Sequence, residues 1–321
     1  MLGDANVFNY FQVIEVSSNS AVAPETLGTK PKFWFDADGV RHLFKNDDRG
    51  TGEDWAEKIV CEIAALIGLP HVPYELAKTT NRSNTNILGV CCENLCAPNE
   101  SLVMGNQLLG FKNPSYPVVP SKIYQVKEHQ VAAVWEVLND SKMGPPSFRW
   151  MANVPLGIQS AGDVFIGYVL LDALVGNQDR HHQNWGAVET RHLNSLALAP
   201  TFDHGAALAR NEPDEKRKRR LQTKDNGDSL EQFAGRAASA FYKDSGSTKT
   251  LSTFEAATQF GAYSPLAGRV WQNNIADLAT IDITAILNRI PNDRMTALAK
   301  EFTLRLMRSN QTRILDMAFT Q

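Results

Sequence analysis

The stretch GNQDRHHQNWG, residues 176–186, decides how this chain is read. It follows DVFIGYVLLDALVG, which is apolar on nearly all sides from Val164 to Val175 and so predicts a helix buried on every face. Gly176 ends that helix, and Asp179, His181, His182 and Asn184 then crowd onto one short loop. Further on, TFDHG puts Asp203 between an apolar strand and a glycine. A carboxylate on such a loop is placed to accept a proton from a hydroxyl, which is the role read for Asp179. An Asn five positions later and a second Asp at the next strand end, Asn184 and Asp203, are oxygen ligands suited to Mg²⁺, which keeps several waters and needs few protein ligands. Taken singly, each Asp reads more readily as a turn or capping residue. A zinc site on His181 and His182 is a poor fit, because adjacent residues rarely converge on one ion and no third ligand is in view. The order D-R-H-x-x-N, then a strand, then F-D-x-G, downstream of a lysine-bearing strand, is what singles the region out.

Working outward, KFWFDADGVRHLFK gives an extended run at Lys32–Phe35, a turn at Asp36–Gly39 and a second run at Val40–Lys45. Period-two alternation puts Leu43 and Lys45 on one face and His42 and Phe44 on the other. EDWAEKIVCEIAALIGLP then reads as a helix: Trp55, Ile59, Ile63 and Leu66 fall at helical spacing, Glu53 and Asp54 suit its N-terminus, and Gly68 with Pro70 stops it. Further strands are expected at Tyr74–Lys78 and Ile87–Cys92. From about residue 98 the pattern becomes helices joined by polar loops, with short strands at Trp185–Val188 and Leu196–Phe202. A polar segment containing EKRKRR and a run of helices from Leu230, including Met295–Arg308, complete the chain. The expectation is an α+β fold of two lobes, a β-rich N-terminal lobe over residues 1–96 and a mainly helical lobe over 97–321.

Composition narrows the class. A length of 321 residues exceeds what one core usually supports, which favours two domains or lobes. With 32 basic and 35 acidic residues the net charge is −3, so general nucleic-acid binding is not expected. No run of about 18 apolar residues exists to span a membrane. MLGDANVFNYFQVIEVSSN lacks a basic region followed by an apolar core, so no secretory signal is expected. Cys61, Cys91, Cys92 and Cys96 lack the paired spacing of a zinc site and read as reduced thiols of a cytoplasmic protein, with delivery into another cell left open.

D-R-H-x-x-N resembles the catalytic loop of the phosphoinositide 3-kinase-like superfamily, and the form Gly-Asn-x-Asp-x-His-x-x-Asn resembles that of the HipA-like serine/threonine kinases. HLFK, ending at Lys45, resembles that family's ATP-binding lysine strand. A-E-x-x-x-x-E-x-A-x-x-x-G-L-P resembles its first helix, with Glu57 as the lysine's ion-pair partner. GTKPKFWF resembles the junction after its phosphate loop, with Lys32 at the basic position, and CCENL resembles the hinge, where backbone groups of Glu93 and Leu95 would face adenine. MTALAKEFTLRLM is similar to the last helices of stand-alone members. One departure is SSNSAVAPETLGTKPK, which has one glycine where related phosphate loops carry several.

The resemblance implies a two-lobed protein-kinase-like fold and ATP- and Mg²⁺-dependent transfer to serine or threonine of a protein substrate. In that reading Lys45 holds phosphates, Glu57 orients Lys45, Asp179 accepts the proton, and Asn184 and Asp203 bind Mg²⁺. His181 either donates to the transferring phosphoryl group or braces the loop, and Arg180 is either a salt-bridge partner or a phosphate contact. An antitoxin-like or regulatory protein partner fits the same family, as does autophosphorylation near Ser17, Ser18 or Ser20. Lys216–Arg220 reads as a solvated, mobile loop or as a docking surface for an acidic partner. The alternatives are a small-molecule or lipid kinase with the same loop, and a nucleotide-binding adaptor without activity. The intact set Lys45, Asp179, Asn184 and Asp203 argues against the last.

Overall fold

The computed structural model describes residues 9–17, 20–24, 31–47, 49–80, 85–117, 125–151, 153–193 and 195–319. Ser18, Asn19 and residues 25–30 of the segment expected to clamp phosphate lie outside them.

The N-terminal part is a six-stranded sheet with one helix. Its strands are β1 (Val13–Glu15), β2 (Ala21–Pro24), β3 (Lys32–Ala37), β4 (Val40–Asn46), β5 (Glu75–Thr80) and β6 (Asn86–Glu93), in the order β1-β5-β6-β4-β3-β2. β1 runs parallel to β5; the other pairs are antiparallel. Between β3 and β4 the turn residues Asp38 and Gly39 have φ of 50° and 76°. Positive φ at both turn positions matches the strand twist and closes the expected hairpin. Its alternation is as read from the sequence. Phe44 is buried in a small cluster with Val16, Phe35, Ala77 and Cys91, while Leu43 packs on the main core from the opposite face. Lys45 shares the face of Leu43.

Helix α1 (Glu53–Leu66) follows β4. The Asp47 carboxylate accepts from the N–H groups of Thr51 (3.2 Å) and Gly52 (2.8 Å), and Gly52 enters the helix at φ 87°. A Cβ at Gly52 would also lie 2.1 Å from the Trp55 indole nitrogen, so both conformation and space demand glycine there. One expectation fails: Leu66 is 52% exposed and Ile67, 1% exposed, fills the core instead. The helix stops at Leu66 and the chain reverses at Gly68 (φ 76°), so helical spacing no longer governs that position.

The C-terminal part opens with β7 (Glu100–Met104), α2 (Gly105–Lys112), α3 (Val131–Leu138) and β8 (Met143–Gly144). The buried helix α4 (Ala161–Val175) leads into β9 (Gly186–Thr190) and β10 (Ser195–Leu198). Then come α5 (Asp214–Gln222), α6 (Leu230–Ala234), α7 (Thr253–Gly261), α8 (Pro265–Ala276), α9 (Thr280–Arg289) and α10 (Ala297–Leu315). Every residue of α4 except Asp163 is buried, and the helix packs against α7, α8 and α10. Asp163 completes a capping box with Ser160 (3.0 Å in each direction), and Gly176 ends the helix at φ 64°.

Three expectations need correction here. Residues 100–104 are a strand where helices and loops were expected, and it joins the two expected short strands in a second sheet, β7-β9-β10-β8. The strand expected at Leu196–Phe202 ends at Leu198, because Pro200 has no N–H to continue the ladder. The basic run is not a mobile loop but lies in α5, with Asp214 and Glu215 in the first turn and Arg219 and Arg220 in the last, the arrangement that complements the helix dipole. Arg217 is buried and pairs with Asp214 at 2.7 Å, and Arg219 and Arg220 both reach Asp228.

One hydrophobic cluster contains Ile59 and Ile63 of α1 together with Phe165, Trp271 and Phe302 of the later helices. Among the described residues no helix is long and apolar enough to cross a membrane.

Candidate active site

The loop of residues 177–185 is held by a carboxylate inside α4. Asp172 is the one acidic residue on the buried faces of that helix, and Arg180 grips it through Nε and Nη2, each at 2.7 Å. Asn177 Nδ2 donates to the same carboxylate at 2.8 Å. Arg180 Nη1 also donates to the Asn184 carbonyl at 3.2 Å, so the guanidinium spans the loop from within. This settles the choice for Arg180: it is a structural partner. The loop then closes on itself, because Asn177 Oδ1 accepts from the Asp179 N–H (3.1 Å) and Asn184 Nδ2 donates to the Asp179 carbonyl (2.7 Å). Bound by its nitrogen end, Asn184 presents its amide oxygen as the remaining acceptor.

Around the loop lies a buried aromatic layer that sequence reasoning missed. His129 Nδ1–H donates to the Ala240 carbonyl (3.0 Å) and its Nε2 accepts from the Trp185 indole (3.2 Å), which fixes a neutral tautomer. His182 lies against the Tyr116 hydroxyl at 2.8 Å. Burial lowers the pKa of His129 to about 3 and those of His181 and His182 to about 4, so all three are neutral near pH 7. His181 Nδ1 accepts from the Gln183 N–H (3.1 Å), which leaves the ring proton on Nε2, 3.5 Å from Asp179 Oδ1.

The second group forms between the sheet and α1. Lys45 Nζ sits 2.7 Å from Glu57 Oε1 and 2.8 Å from Asp203 Oδ1. Burial alone would lower the Lys45 pKa, but Asp203 and Glu57 together hold it well above its ordinary value. Burial raises that of Glu57 against the pull of Lys45; with Lys45 on one oxygen and the His204 N–H on the other (2.8 Å), the geometry holds it as a carboxylate. Asp203 adopts φ 61°, a left-handed conformation that a non-glycine residue holds only when its surroundings impose it. The two groups meet at His204, fully buried, whose Nε2 lies 2.8 Å from the Thr201 hydroxyl and 3.4 Å from Arg180 Nη2. The Asp203 charge also acts on His181, raising its pKa against the larger effect of burial.

Lys32 is directly opposite Lys45 across the β3–β4 hairpin, so two lysines share one face. The hinge residues also have a defined placement. Glu93 opposes His42, and the Asn94 N–H donates to the Arg41 carbonyl (2.8 Å), which makes His42–Glu93 a non-hydrogen-bonded pair. The backbone groups of Glu93 thus point away from β4, beyond the start of β5 at Glu75. The Leu95 carbonyl accepts from Arg149, which leaves the N–H as that residue's remaining backbone group.

The donors fit the nucleotide and metal. Asn184 and Asp203 offer hard oxygens, and Lys32 and Lys45 offer paired positive charge. Among the described residues no group of three His, Cys, Asp or Glu side chains is gathered as a metal cage. The cavity lined by Lys45, Glu53, Glu57, Asp203 and Gly205 holds about 10 Å³, room for a water-sized group and too little for a nucleotide.

A β-rich part carrying the Lys45–Glu57 pair, joined to a helical part carrying the Asp179 loop and Asp203, is the architecture of a protein-kinase-like fold. Among solved structures, the Helicobacter pylori proinflammatory kinase CtkA has this fold, with a TM-score of 0.69 at 17% identity over 96% of this chain and 97% of that one. A Shewanella oneidensis complex of toxin–antitoxin proteins HipA and HipB with operator DNA matches at a TM-score of 0.49 and 12% identity, over 90% of this chain and 64% of that one. No protein-family model matches the sequence. No curated protein matches it either.

Sequence reasoning named candidate site residues and missed the side chains that hold them in place. Asp172 carried a usable signal, since a lone carboxylate in an otherwise apolar buried helix must have a partner. His129 and Tyr116 carried none, because their partners are distant in sequence.

Proposed function

We propose that this chain is an ATP- and Mg²⁺-dependent serine/threonine protein kinase of HipA-like type, with lobes at 1–96 and 97–321 and a cytoplasmic place of action. The observation that carries the reading is the Lys45 ammonium held between Glu57 and Asp203, at 2.7 and 2.8 Å, on a fold shared with a solved kinase. ATP supplies the phosphoryl group and Mg²⁺ the positive charge that offsets its oxygens. Lys45, kept protonated, binds phosphate oxygens, and Glu57 keeps it aimed. Lys32 adds a second charge from the same face. The Glu93 carbonyl and Leu95 N–H supply one acceptor and one donor for the adenine edge. Asn184 and Asp203 hold the metal. Asp179 accepts the proton of the attacking hydroxyl, and His181 braces it, since the His181 proton lies on the nitrogen facing Asp179 and not on a charged ring. Phosphoryl transfer asks mainly for placement and charge, and the buried Asp172–Arg180 anchor supplies placement.

A protein acceptor, a regulatory protein partner and autophosphorylation at Ser17, Ser18 or Ser20 belong to the same proposal. Of these serines, Ser20 donates its hydroxyl to the Ser17 carbonyl at 2.6 Å. The test is incubation with γ-labelled ATP, Mg²⁺ and a cell lysate, followed by phosphosite mapping. Label on protein serine or threonine supports the reading. Label confined to small molecules or lipids moves the chain to the small-molecule kinases, and no consumption of ATP overturns it.

A further inference from the structure

We propose that Arg210, seven residues beyond Asp203, is a positioning residue that holds α1 in the register at which Glu57 meets Lys45. The inference rests on the kinase reading and deepens it.

Arg210 donates through Nη1 to the Thr51 hydroxyl and through Nη2 to the Glu53 carboxylate. Thr51 precedes the Gly52 cap and Glu53 opens α1, so one guanidinium grips the start of the helix at two points. Glu53 and Glu57 are four residues apart and therefore lie on the same face. That face meets the segment carrying Asp203. The His204 N–H donates to Glu57 Oε2 at 2.8 Å, and a Cβ placed on Gly205 would lie 3.5 Å from Glu53 Cβ and 3.6 Å from Glu57 Cγ. Arg210 extends this docking by one helical turn, toward the N-terminus of α1.

The segment is braced well enough to act as a fixed post. Leu208 and Ala209 have φ of 60° and 47°, two consecutive left-handed residues that turn the chain just before Arg210. The Leu208 N–H donates to the Val175 carbonyl at the end of α4 (2.8 Å), tying the post to the core. Arg217, the buried member of the basic run, donates to the Arg210 carbonyl at 2.9 Å. The side chains of Arg210 and Glu53 are 11% and 7% exposed, so solvent competes little for the pair. Next to Glu53, Asp54 is held at 2.5 Å by Arg294 from between α9 and α10. Arg294 thus ties α1 to the helical part, while Arg210 ties it to the segment that also carries Asp203. Lys45, Glu57 and Asp203 then move as one unit.

The test uses the full chain and the variants Arg210→Ala, Arg210→Lys and Glu53→Gln. Turnover is measured as kcat and KM for ATP, folding by thermal melting, and α1 placement by the rate at which an amine reagent labels Lys45 without nucleotide, read by mass spectrometry. Arg210→Ala should fold and lose about ten- to a hundredfold in kcat, the scale on which misplacement of about 1 Å acts. It should also label faster at Lys45 than wild type, and Arg210→Lys should recover part of both. Unchanged kcat and labelling in folded Arg210→Ala would overturn the proposal, as would a loss of turnover that only follows the loss of folded protein. Should Arg210→Ala not fold, Glu53→Gln keeps shape and removes the charge; faster Lys45 labelling in it supports the proposal and wild-type labelling refutes it. The labelling arm needs no turnover, so it decides the role of Arg210 even where wild-type protein consumes no ATP.

Discussion

Arg180 holds Asp172 by two parallel hydrogen bonds of 2.7 Å, with the two side chains 2% and 5% exposed. A bidentate pair this deep fixes orientation as well as position, and it joins the Asp179 loop to the central helix. Removing one partner leaves a buried charge uncompensated. Asp172→Leu should therefore destabilise the protein by about 3–5 kcal/mol in chemical denaturation. A loss under about 1 kcal/mol would show that the loop is held by other contacts.

Lys45 and Glu57 are expected to act as a unit. Lys45→Met should lower kcat/KM by about 10²–10³-fold, the scale of one lost charge-stabilising donor. Glu57→Gln should cost less, since it only orients Lys45, and the double variant should be little worse than Lys45→Met. Losses that multiply in the double variant would show that Glu57 acts independently of Lys45.

Asp203→Ala should remove the dependence of ATP affinity on Mg²⁺. Calorimetric titration of wild type with ATP should show tighter binding with Mg²⁺ than with EDTA. The variant should give the same affinity in both. A variant that retains the Mg²⁺ effect places the metal elsewhere.

Stability should fall on acidification between about pH 6.5 and 4. His129, His181 and His182 have pKa values lowered to about 3, 4 and 4, against about 6.5 in an unfolded chain. In that window the unfolded chain binds more protons, so the contribution present above pH 6.5 is lost as pH falls. Melting temperatures should be nearly flat in this respect above pH 7 and drop below 6.5. His129→Gln, which can keep both hydrogen bonds, should show a shallower drop, and an unchanged slope would argue that His129 is not the neutral group described.

Local chemistry made part of this legible in the sequence. Gly39, Gly68 and Gly176 mark the turn or the helix ends, and the uninterrupted apolar run at Val164–Val175 marks a helix packed on all sides. The Lys45–Glu57 pair was expected through the family resemblance, whereas the contact of Lys45 with Asp203, 158 residues away, was not, since no spacing rule reaches it. Two strands of the second sheet were legible, but β7 was missed because it finds its partner β9 across α2, α3 and α4. The basic run misled because charge density was read as solvation, whereas Asp214, Glu212 and Asp228 supply its partners.

The central claim is that Asp179 and the Lys45–Asp203 pair form one phosphoryl-transfer site. The direct measurement is transfer of γ-labelled phosphate from ATP by wild type and by Asp179→Asn, with ATP affinity determined in parallel. The account predicts transfer by wild type, and in the variant an unchanged affinity with transfer reduced by about a hundredfold or more, since Asn keeps the volume and removes the proton acceptor. Equal transfer by the two proteins, or none by wild type with any acceptor, would contradict it.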